Sequence, residues 1–292
     1  MEIHSNTIAL ITGASTGIGA ALALDLARLG AKVAICARRE NLLNDVAENI
    51  RSAGGEVHAI VADVSDKNDA ERAVDETKEK FGGIDILINN AGRGNRASVE
   101  DTTQETLESI FAVNVYSLWY TTGRALPHMR KKNSGHIINI SSVAGKIAYP
   151  FNSAYVAAKH AVVGFNAALR TELTGTNIEA TVICPAGVIT DWANVTEGGA
   201  IGEIFFHGIQ KSRTIAKELG TGLAPLQPMM KPEEVSAIII DTIKNPPAND
   251  VFTHPGTYEL AVEAVTNRRQ LEEKHKALYL GMRQAYNEIA GK

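Results

Sequence analysis

The feature that most constrains the fold of this chain is the alternation of short apolar runs with helical patterns. Six runs rich in β-branched residues are typical of buried strands: TIALIT, AKVAICA, EVHAIVAD, DILIN, GHIINIS and EATVIC. Strands that alternate with helices form a parallel sheet, and strands that are apolar on both faces need helices on both sides. We therefore predict an α/β fold with a doubly wound parallel sheet, a Rossmann-like three-layer sandwich that binds ligands beyond the carboxyl ends of its strands.

The pattern changes after the sixth strand. Residues 191–228, here called the insertion, contain paired glycines and adjacent phenylalanines, which predicts a long loop with short helices that acts as a lid. KPEEVSAIIIDTI then resumes a helix, and VFTHPG resembles a last edge strand. We expect one catalytic domain over residues 1–257 and a C-terminal helical extension over residues 258–292.

The predicted C-terminal extension has an apolar stripe with mixed charges around it. Because a purely membrane-bound helix is mainly basic on its polar face, we expect this helix to dock on its own subunit or on a partner, near the substrate mouth. The stripe comprises Leu271, Leu278, Met282, Ala285 and Ile289.

Composition excludes several classes of function. The formal net charge is −4 and the pI is about 6.1, so the overall field favours neither nucleic acid nor anionic lipid as a partner. Cys36 and Cys184 lie in apolar runs, where we expect free buried thiols and no disulfide. No basic leader precedes the first strand and no apolar run reaches about 18 residues. We expect a cytoplasmic protein without membrane, nucleic-acid or metal partners.

A glycine-rich turn separates the first predicted strand from its helix in TIALITGASTGIGAALALDLA, with Gly13, Gly17 and Gly19. Glycine lets the backbone bend tightly and approach a pyrophosphate, whose charge meets the free N–H groups of the helix N-terminus. The correct flanking strand and helix predict a dinucleotide site. Asp63 and the run Asn89–Gly92 end two later strands, where they can line adenine and ribose; taken singly, each also fits an ordinary strand-end turn.

Tyr155 and Lys159 stand four residues apart in a helical pattern, so both side chains leave one face of the helix. A nearby ammonium and an oxidised nicotinamide favour phenolate, which predicts a lowered pKa for Tyr155 and a role as proton donor or acceptor. Such a pair is common in helices by chance. Its significance comes from Ser142, which follows the strand GHIINIS at a carboxyl end of the sheet.

Together these motifs resemble the short-chain dehydrogenase/reductase family from about Thr7 to about Thr190, and more weakly to about Gly256. The resemblance implies that Ser142 polarises the substrate oxygen and that Tyr155 is the general acid/base. Lys159 would tune Tyr155 and hold the nicotinamide ribose, and Asn114 would hold a water of a proton relay. The matching motifs are TGASTGIG, Asp63, NNAG at Asn89 to Gly92, Asn114 in FAVNVYS, and Ser142 (chosen over Ser141 by its distance from the tyrosine), Tyr155 and Lys159.

One departure from the family pattern follows the sixth strand, where Pro185-Ala186-Gly187 replaces Pro-Gly and displaces the glycine. Thr190 still matches, and the Val188 backbone and Thr190 are expected at the carboxamide. The resemblance implies cofactor contacts from Gly13, Ser15, Thr16, Gly17, Ile18, Gly19, Arg38, Arg39, Asp63, Val64, Asn90, Ala91, Gly92, Tyr155, Lys159, Pro185, Gly187, Val188 and Thr190.

The end of the second strand indicates NADP(H) as the cofactor. An acidic residue at this position binds the ribose hydroxyl of NAD, whereas this chain has Ala37 followed by Arg38 and Arg39. A guanidinium favours a phosphate, and one good contact gives about a ten- to hundredfold preference. We expect the main contact from Arg38; Arg39 is also compatible with capping the turn.

The sequence predicts an NADP(H)-dependent oxidoreductase that interconverts a carbonyl compound and a secondary alcohol. The alternative is a catalytically silent NADP(H)-binding regulator or scaffold, against which the intact Ser142, Tyr155, Lys159 and Asn114 argue. A sugar-nucleotide epimerase or dehydratase is disfavoured, because such relatives tend to have another glycine spacing and longer substrate domains.

Aromatic and apolar residues near the predicted serine and in the insertion indicate an apolar small-molecule substrate, although several can simply pack among themselves. Two predicted helices, ESIFAVNVYSLWYTTGRALPHM and AYVAAKHAVVGFNAALRTEL, are apolar nearly all round, and the family pairs these helices in homodimers and homotetramers. We expect a homodimer or homotetramer here. The residues that suggest the apolar substrate are Tyr149, Phe151, Trp192, Ile204, Phe205 and Phe206.

Overall fold

The computed structural model describes residues 1–199 and 201–291. Its centre is one sheet of seven parallel strands in the order β3-β2-β1-β4-β5-β6-β7, so the predicted doubly wound parallel sheet is confirmed. The last edge strand is shorter than the sequence suggests. The strands are β1 (Ile8–Thr12), β2 (Lys32–Ala37), β3 (Val57–Val61), β4 (Ile86–Asn89), β5 (Gly135–Ile140), β6 (Ile178–Cys184) and β7 (Val251–Phe252).

Helices cover both faces of the sheet. One face packs against α1, α2 and α8, and the other against α3, α5 and α6. The helices are α1 (Gly17–Arg28), α2 (Glu40–Ser52), α3 (Lys67–Phe81), α4 (Gln104–Phe111), α5 (Ser117–Lys132), α6 (Ser153–Glu172), α7 (Ile201–Leu219), α8 (Pro232–Lys244), α9 (Thr257–Thr266) and α10 (Arg268–Ala290).

The strands are apolar throughout because each one contributes to two cores. In β1, Ala9 and Ile11 pack against α1, whereas Leu10 between them belongs to the core on the opposite face, and all three are fully buried. Successive side chains of a strand point to opposite faces, so a strand between two helical layers has no polar face to expose.

The insertion and the C-terminal extension differ from the sequence prediction. The insertion contains one short 3₁₀ helix, Asp191–Val195, and one long helix, α7, of 19 residues. Helix α7 is long because the Gly198-Gly199 pair precedes it and does not interrupt it. The extension consists of two helices, α9 and α10, which meet at Asn267. Helix α10 packs on α7 at Gly208 and Gly281, where a Cβ added to Gly281 would collide with the Gly208 carbonyl oxygen.

Cys36 and Cys184 are free and buried, so no disulfide joins them. Throughout residues 1–199 and 201–291, no helix combines the length and the apolar character that a membrane crossing requires.

Candidate active site

A cavity of about 670 Å³ opens at the carboxyl ends of the strands. The order of the strands reverses between β1 and β4, and this crevice is where doubly wound folds bind their ligands. The predicted site residues that line the cavity are Gly13, Ser15, Thr16, Gly17, Ile18, Arg38, Arg39, Asp63, Val64, Asn90, Ala91, Gly92, Ser142, Tyr155, Lys159, Pro185, Gly187, Val188 and Thr190.

The glycine-rich turn leaves room for an anion. Gly13 and Gly17 have φ of +65° and +60°, and added Cβ atoms would stand 2.7 Å from the Ala91 Cα and 2.9 Å from the Thr190 Cγ2. Thr16 precedes α1 with an extended backbone and no side-chain cap, and the first turn of α1 has no acidic residue. The N–H groups of this helix end are therefore free to bind the pyrophosphate of a dinucleotide. The glycine-rich turn and the start of α1, together called the cradle, fit such a group.

Gly19, which is predicted to contact the cofactor, is not among the residues that line the cavity. It belongs to the first turn of α1, where an added Cβ would stand 2.6 Å from the Asn90 Nδ2. This amide donates to the carbonyl oxygens of Thr12 and Gly13 at 2.9 and 3.1 Å. The absence of a side chain at Gly19 thus lets Asn90 brace the glycine-rich turn from behind.

The strand end of β2 presents two arginines with different partners. Arg38 Nη1 lies 3.4 Å from Asp63 Oδ2, and its side chain is about half exposed. Burial opposes ionisation of Asp63, but hydrogen bonds from Ser65 and Arg38 outweigh it and lower the pKa of this carboxyl. A charged Arg38 and an ionised Asp63 therefore stand together at the cavity edge.

Arg39, rather than Arg38, contacts the phosphate cradle. Its Nη2 donates to Thr16 Oγ1 at 2.8 Å and to Ser15 Oγ at 3.4 Å, and its Nη1 donates to Asp191 Oδ2 at 2.6 Å. The sequence cannot separate these two arginines, since the direction of each side chain depends on the turn between β2 and α2. Arg39 thus joins the glycine-rich turn to the first residue of the insertion.

Ser142, Tyr155 and Lys159 converge on the cavity as the sequence predicts. Tyr155 and Lys159 lie one turn apart on α6, with the Lys159 Nζ 5.6 Å from the centroid of the Tyr155 ring. The same Nζ donates to the Ile140 carbonyl oxygen at 2.9 Å at the end of β5. Ser142 follows that strand, and its Oγ accepts from the Ala144 N–H at 3.1 Å.

The electrostatics of this group are dominated by burial. Burial raises the pKa of Tyr155 to about 12, although a hydrogen bond with Ser142 acts in the opposite direction. Burial also lowers the pKa of Lys159 to about 8. Without a bound nicotinamide the pKa of Tyr155 is raised rather than lowered, because desolvation of the phenolate outweighs the hydrogen bond with Ser142.

Asn114 lies behind the cavity rather than in its lining. It belongs to a π-helical turn, Ala112–Tyr116, between α4 and α5, and its Nδ2 donates to the carbonyl oxygens of Arg93 and Ile110. Its Oδ1 is buried without a partner in the described chain. A Cβ added to Gly92 would stand 2.6 Å from this oxygen and 3.3 Å from the Lys159 Nζ. The missing side chain at Gly92 therefore leaves a small space between Asn114 and Lys159.

The displaced glycine after β6 is held by a buried histidine that the sequence reasoning missed. The Ala186 N–H donates to His254 Nδ1 at 3.2 Å, and His254 Nε2 donates to the Gly187 carbonyl oxygen at 2.9 Å. His254 follows β7 in the run VFTHPG, and only its pairing beside β6 reveals the contact. Pro185-Ala186-Gly187 is thereby fixed at the cavity without the family's usual spacing.

The other half of the cavity is apolar. The Trp192 ring lies 5.2 Å from the Tyr155 ring, and Tyr149 and Phe205 form an edge-to-face pair at 6.1 Å. Of the other residues that suggested an apolar substrate, Phe206 is exposed, and Ile204 and Phe151 pack in the core between α7 and α10. Lining residues missed by the sequence reasoning include Asn152, Leu260, His275, Leu278 and Met282.

Residues 7–198 match the family model described as short chain dehydrogenase. An uncharacterized oxidoreductase of Staphylococcus saprophyticus is 38% identical over 194 residues, 66% of this chain and 83% of that protein. Estradiol 17-beta-dehydrogenase 11 of Rattus norvegicus is 38% identical over 181 residues. That match spans 61% of this chain and 61% of the relative, so over a third of the relative lies outside it.

A solved structure extends the likeness beyond the family model. The crystal structure of a short chain dehydrogenase/reductase from Burkholderia phymatum in complex with NAD superposes with a TM-score of 0.78 and 26% identity. The match covers 92% of this chain and 97% of that one. Sequence, sheet order and site geometry agree, and this chain belongs to the short chain dehydrogenase family of oxidoreductases.

Proposed function

We propose that this protein is an NADP(H)-dependent oxidoreductase that interconverts a carbonyl compound and a secondary alcohol. The observation that carries the proposal is that Ser142, Tyr155 and Lys159 line the same cavity as the glycine-rich cradle at the N-terminus of α1. A dinucleotide in the cradle and a substrate beside Tyr155 then share one cavity. Such proximity is what a transfer between two bound molecules requires.

Particular residues would hold the dinucleotide. Its pyrophosphate fits the free N–H groups behind Thr16, and its adenine fits beside Asp63 and Val64. The nicotinamide end would lie between Lys159, which is placed for the ribose, and the backbone from Val188 to Thr190. When bound, the nicotinamide supplies or accepts the hydride.

The protein's own residues handle the proton. In reduction, the Ser142 hydroxyl donates a hydrogen bond to the substrate carbonyl and the Tyr155 hydroxyl donates its proton to the developing alkoxide. Burial favours this direction, since a pKa of about 12 keeps the phenol protonated at neutral pH. Lys159 lies under the Tyr155 ring, and the unpaired Asn114 Oδ1 nearby suits a water that connects Lys159 to solvent.

NADP(H) rather than NAD(H) is supported by the residues at the end of β2. Ala37 provides no carboxylate to bind a ribose hydroxyl, and both Arg38 and Arg39 line the cavity there. The Burkholderia phymatum neighbour was solved with NAD, so the choice rests on this chain's own arginines. Two guanidinium groups favour a phosphate through charge-assisted hydrogen bonds.

The proposal is tested by following NADPH and NADH oxidation with a panel of apolar ketones and aldehydes. We expect turnover with NADPH, and Tyr155→Phe should lower kcat by about two to four orders of magnitude with little change in NADPH affinity. NADPH binding without turnover on the whole panel would instead support the silent regulator. Near-normal kcat in Tyr155→Phe would remove the assigned acid/base.

We also propose a homodimer or homotetramer built on α4, α5 and α6. Leu107, Tyr116 and Trp119 are exposed on this side, and the Trp119 ring lies 4.6 Å from the Phe165 ring of α6. Contiguous exposed apolar residues indicate an interface. Light scattering should give an oligomer for the wild type and a smaller species for Trp119→Glu; a monomeric wild type would contradict the proposal.

A further inference from the structure

The apolar half of the cavity contains one imidazole, that of His275 on α10. Leu271, Leu278 and Met282 lie on the same helix at helical spacing and are buried, and Leu278 and Met282 line the cavity with His275. The His275 side chain is itself only 5% exposed. A polar ring on this otherwise apolar face needs hydrogen-bond partners, since buried polar groups are normally paired.

One ring nitrogen has a partner within the helix. His275 Nδ1 lies 2.8 Å from the Leu271 carbonyl oxygen, and a carbonyl oxygen only accepts, so Nδ1 carries the hydrogen. The neutral ring then has its lone pair at Nε2. Among residues 1–199 and 201–291, Nε2 forms no hydrogen bond, and it therefore remains as an acceptor on a ring that lines the cavity.

The ring is fixed in this orientation. It stacks on Tyr279 with centroids 5.8 Å apart, and the Tyr279 hydroxyl donates to the Ala148 carbonyl oxygen at 3.4 Å. Ala148 precedes Tyr149, which lines the cavity beside Phe205. The Leu271 hydrogen bond and the stack on Tyr279 therefore hold the His275 ring, and Tyr279 is itself bonded to the loop between Ser142 and α6. Because the ring is already held in place, ligand binding loses little conformational entropy at His275.

We propose that His275 accepts a hydrogen bond from a hydroxyl group of the substrate, at a position separate from the reacting carbonyl. This rests on the proposed function and narrows the substrate class to apolar carbonyl compounds that also carry a hydroxyl group, or to the corresponding diols. The surrounding Leu260, Phe205 and Met282 fit the apolar body of such a molecule. A site built to bond a hydroxyl rejects analogues that lack the donor, because its own polar group then stays unpaired.

The test compares ketones that differ only in this donor. Para-hydroxyphenyl butanone and para-hydroxyacetophenone provide phenols at two distances from the carbonyl, and their methyl ethers lack the donor. Binding is measured by calorimetry on Tyr155→Phe with oxidised NADP present, so that no turnover occurs. At least one phenol should bind about tenfold more tightly than its ether.

Two substitutions assign that preference to His275. His275→Leu keeps an apolar side chain without the acceptor and should abolish the preference. His275→Gln has an amide oxygen near the position of Nε2 and should retain part of it. Equal binding of phenol and ether in both pairs, a preference that survives His275→Leu, or no binding of any of the four ketones would overturn the proposal.

Turnover of the same ketones by the enzyme with intact Tyr155 separates this proposal from the proposed function. Phenol-selective binding without NADPH oxidation would leave His275 as a ligand-binding residue and remove the oxidoreductase activity. NADPH oxidation that is equally efficient with phenols and ethers would keep the activity and remove the role of His275.

Discussion

Phe151 stacks on Tyr286 with ring centroids 4.3 Å apart and an interplanar angle of 12°, and this contact joins α10 to the start of α6. Phe151 has φ of +64°, a left-handed conformation that is rare for a bulky residue and costs about 1–3 kcal/mol. Asn152 follows as the residue before α6, which carries Tyr155. The stack therefore stabilises a strained backbone next to the proposed acid/base.

We expect Tyr286→Leu to lower kcat about tenfold while the Kd for NADPH stays unchanged, because the misplaced Phe151 shifts the start of α6 and not the cradle. Tyr286→Phe is the matched control. It keeps the stack but loses the hydroxyl that accepts from the Ser98 N–H and donates to Asp101, at a cost of about 1–3 kcal/mol in unfolding free energy. Equal kcat in both variants would show that the stack has no positioning role.

Arg38→Ala and Arg39→Ala should each lower the ratio of kcat/KM for NADPH over NADH by about tenfold, since each removes a guanidinium from the phosphate end. Arg39→Ala should also weaken NADH binding, because the hydrogen bonds to Thr16 and Asp191 disappear.

The control is Arg51→Ala, which removes the same charge from the last turn of α2, where Arg51 pairs with Glu48. Its cofactor ratio should match that of the wild type. A wild type that uses NADPH and NADH equally would show that the end of β2 does not select the cofactor.

The pH dependence of the free energy of unfolding should reveal the burial of Lys159. Its pKa of about 8 in the folded state lies below the ordinary 10.5, so between these values the unfolded chain binds a proton that the folded protein lacks. The free energy of unfolding then rises with pH by up to about 1.4 kcal/mol per pH unit. Relative to Lys159→Met, the wild type should gain stability from about pH 8 to about pH 9.5 in urea denaturation.

The buried thiols of Cys36 and Cys184 act in the opposite direction. Burial raises both pKa values to about 12, so the unfolded chain loses these protons first and stability falls above about pH 9. Both proteins retain the cysteines, so the contribution of Cys36 cancels in the difference. The contribution of Cys184 cancels only in part, because its thiolate interacts with the charge of Lys159. Lys67→Met removes an exposed ammonium on α3 and retains Lys159. The wild type should therefore show no such gain relative to Lys67→Met over the same interval.

Gly13→Ala should abolish cofactor binding and destabilise the fold. A methyl group there would stand 2.7 Å from the Ala91 Cα, on a backbone with positive φ. Gly123→Ala is the opposite case, because its added Cβ on α5 meets nothing within 4 Å inside the subunit and should stabilise the isolated subunit by about 1 kcal/mol. NADPH titration and thermal melting measure both effects; tight NADPH binding by Gly13→Ala would disprove the cradle.

The sequence predicts the sheet and the cradle because both depend on local patterns. A strand such as β1 is apolar at every position only if two layers cover it, and the turn after it needs glycine at Gly13 and Gly17 whatever the rest of the chain does. Tyr155 and Lys159 share one face through helical periodicity alone. These features follow without tertiary information.

Other features depend on contacts between distant segments. The directions of Arg38 and Arg39 depend on Asp63 and Asp191, which no local pattern places beside them. The apolar stripe of the C-terminal extension is largely buried, although Ile289 remains 39% exposed. The spacing of the stripe residues does not indicate that α7 is the element that covers them. The pKa of Tyr155 without a cofactor depends on the desolvation of its ring, which helical periodicity does not reveal.

Helices α7 and α10 cross at Gly208 and Gly281 and form one side of the substrate cavity. Both helices follow residue 198, where the match to the family model ends, yet together they carry Phe205, Leu278 and Met282 on the substrate side. A substitution at Phe205, Leu278 or Met282 alters the shape offered to a substrate without touching the cradle. We expect variants selected for new substrates to accumulate their changes in α7 and α10, and their affinity for the dinucleotide to remain that of the parent.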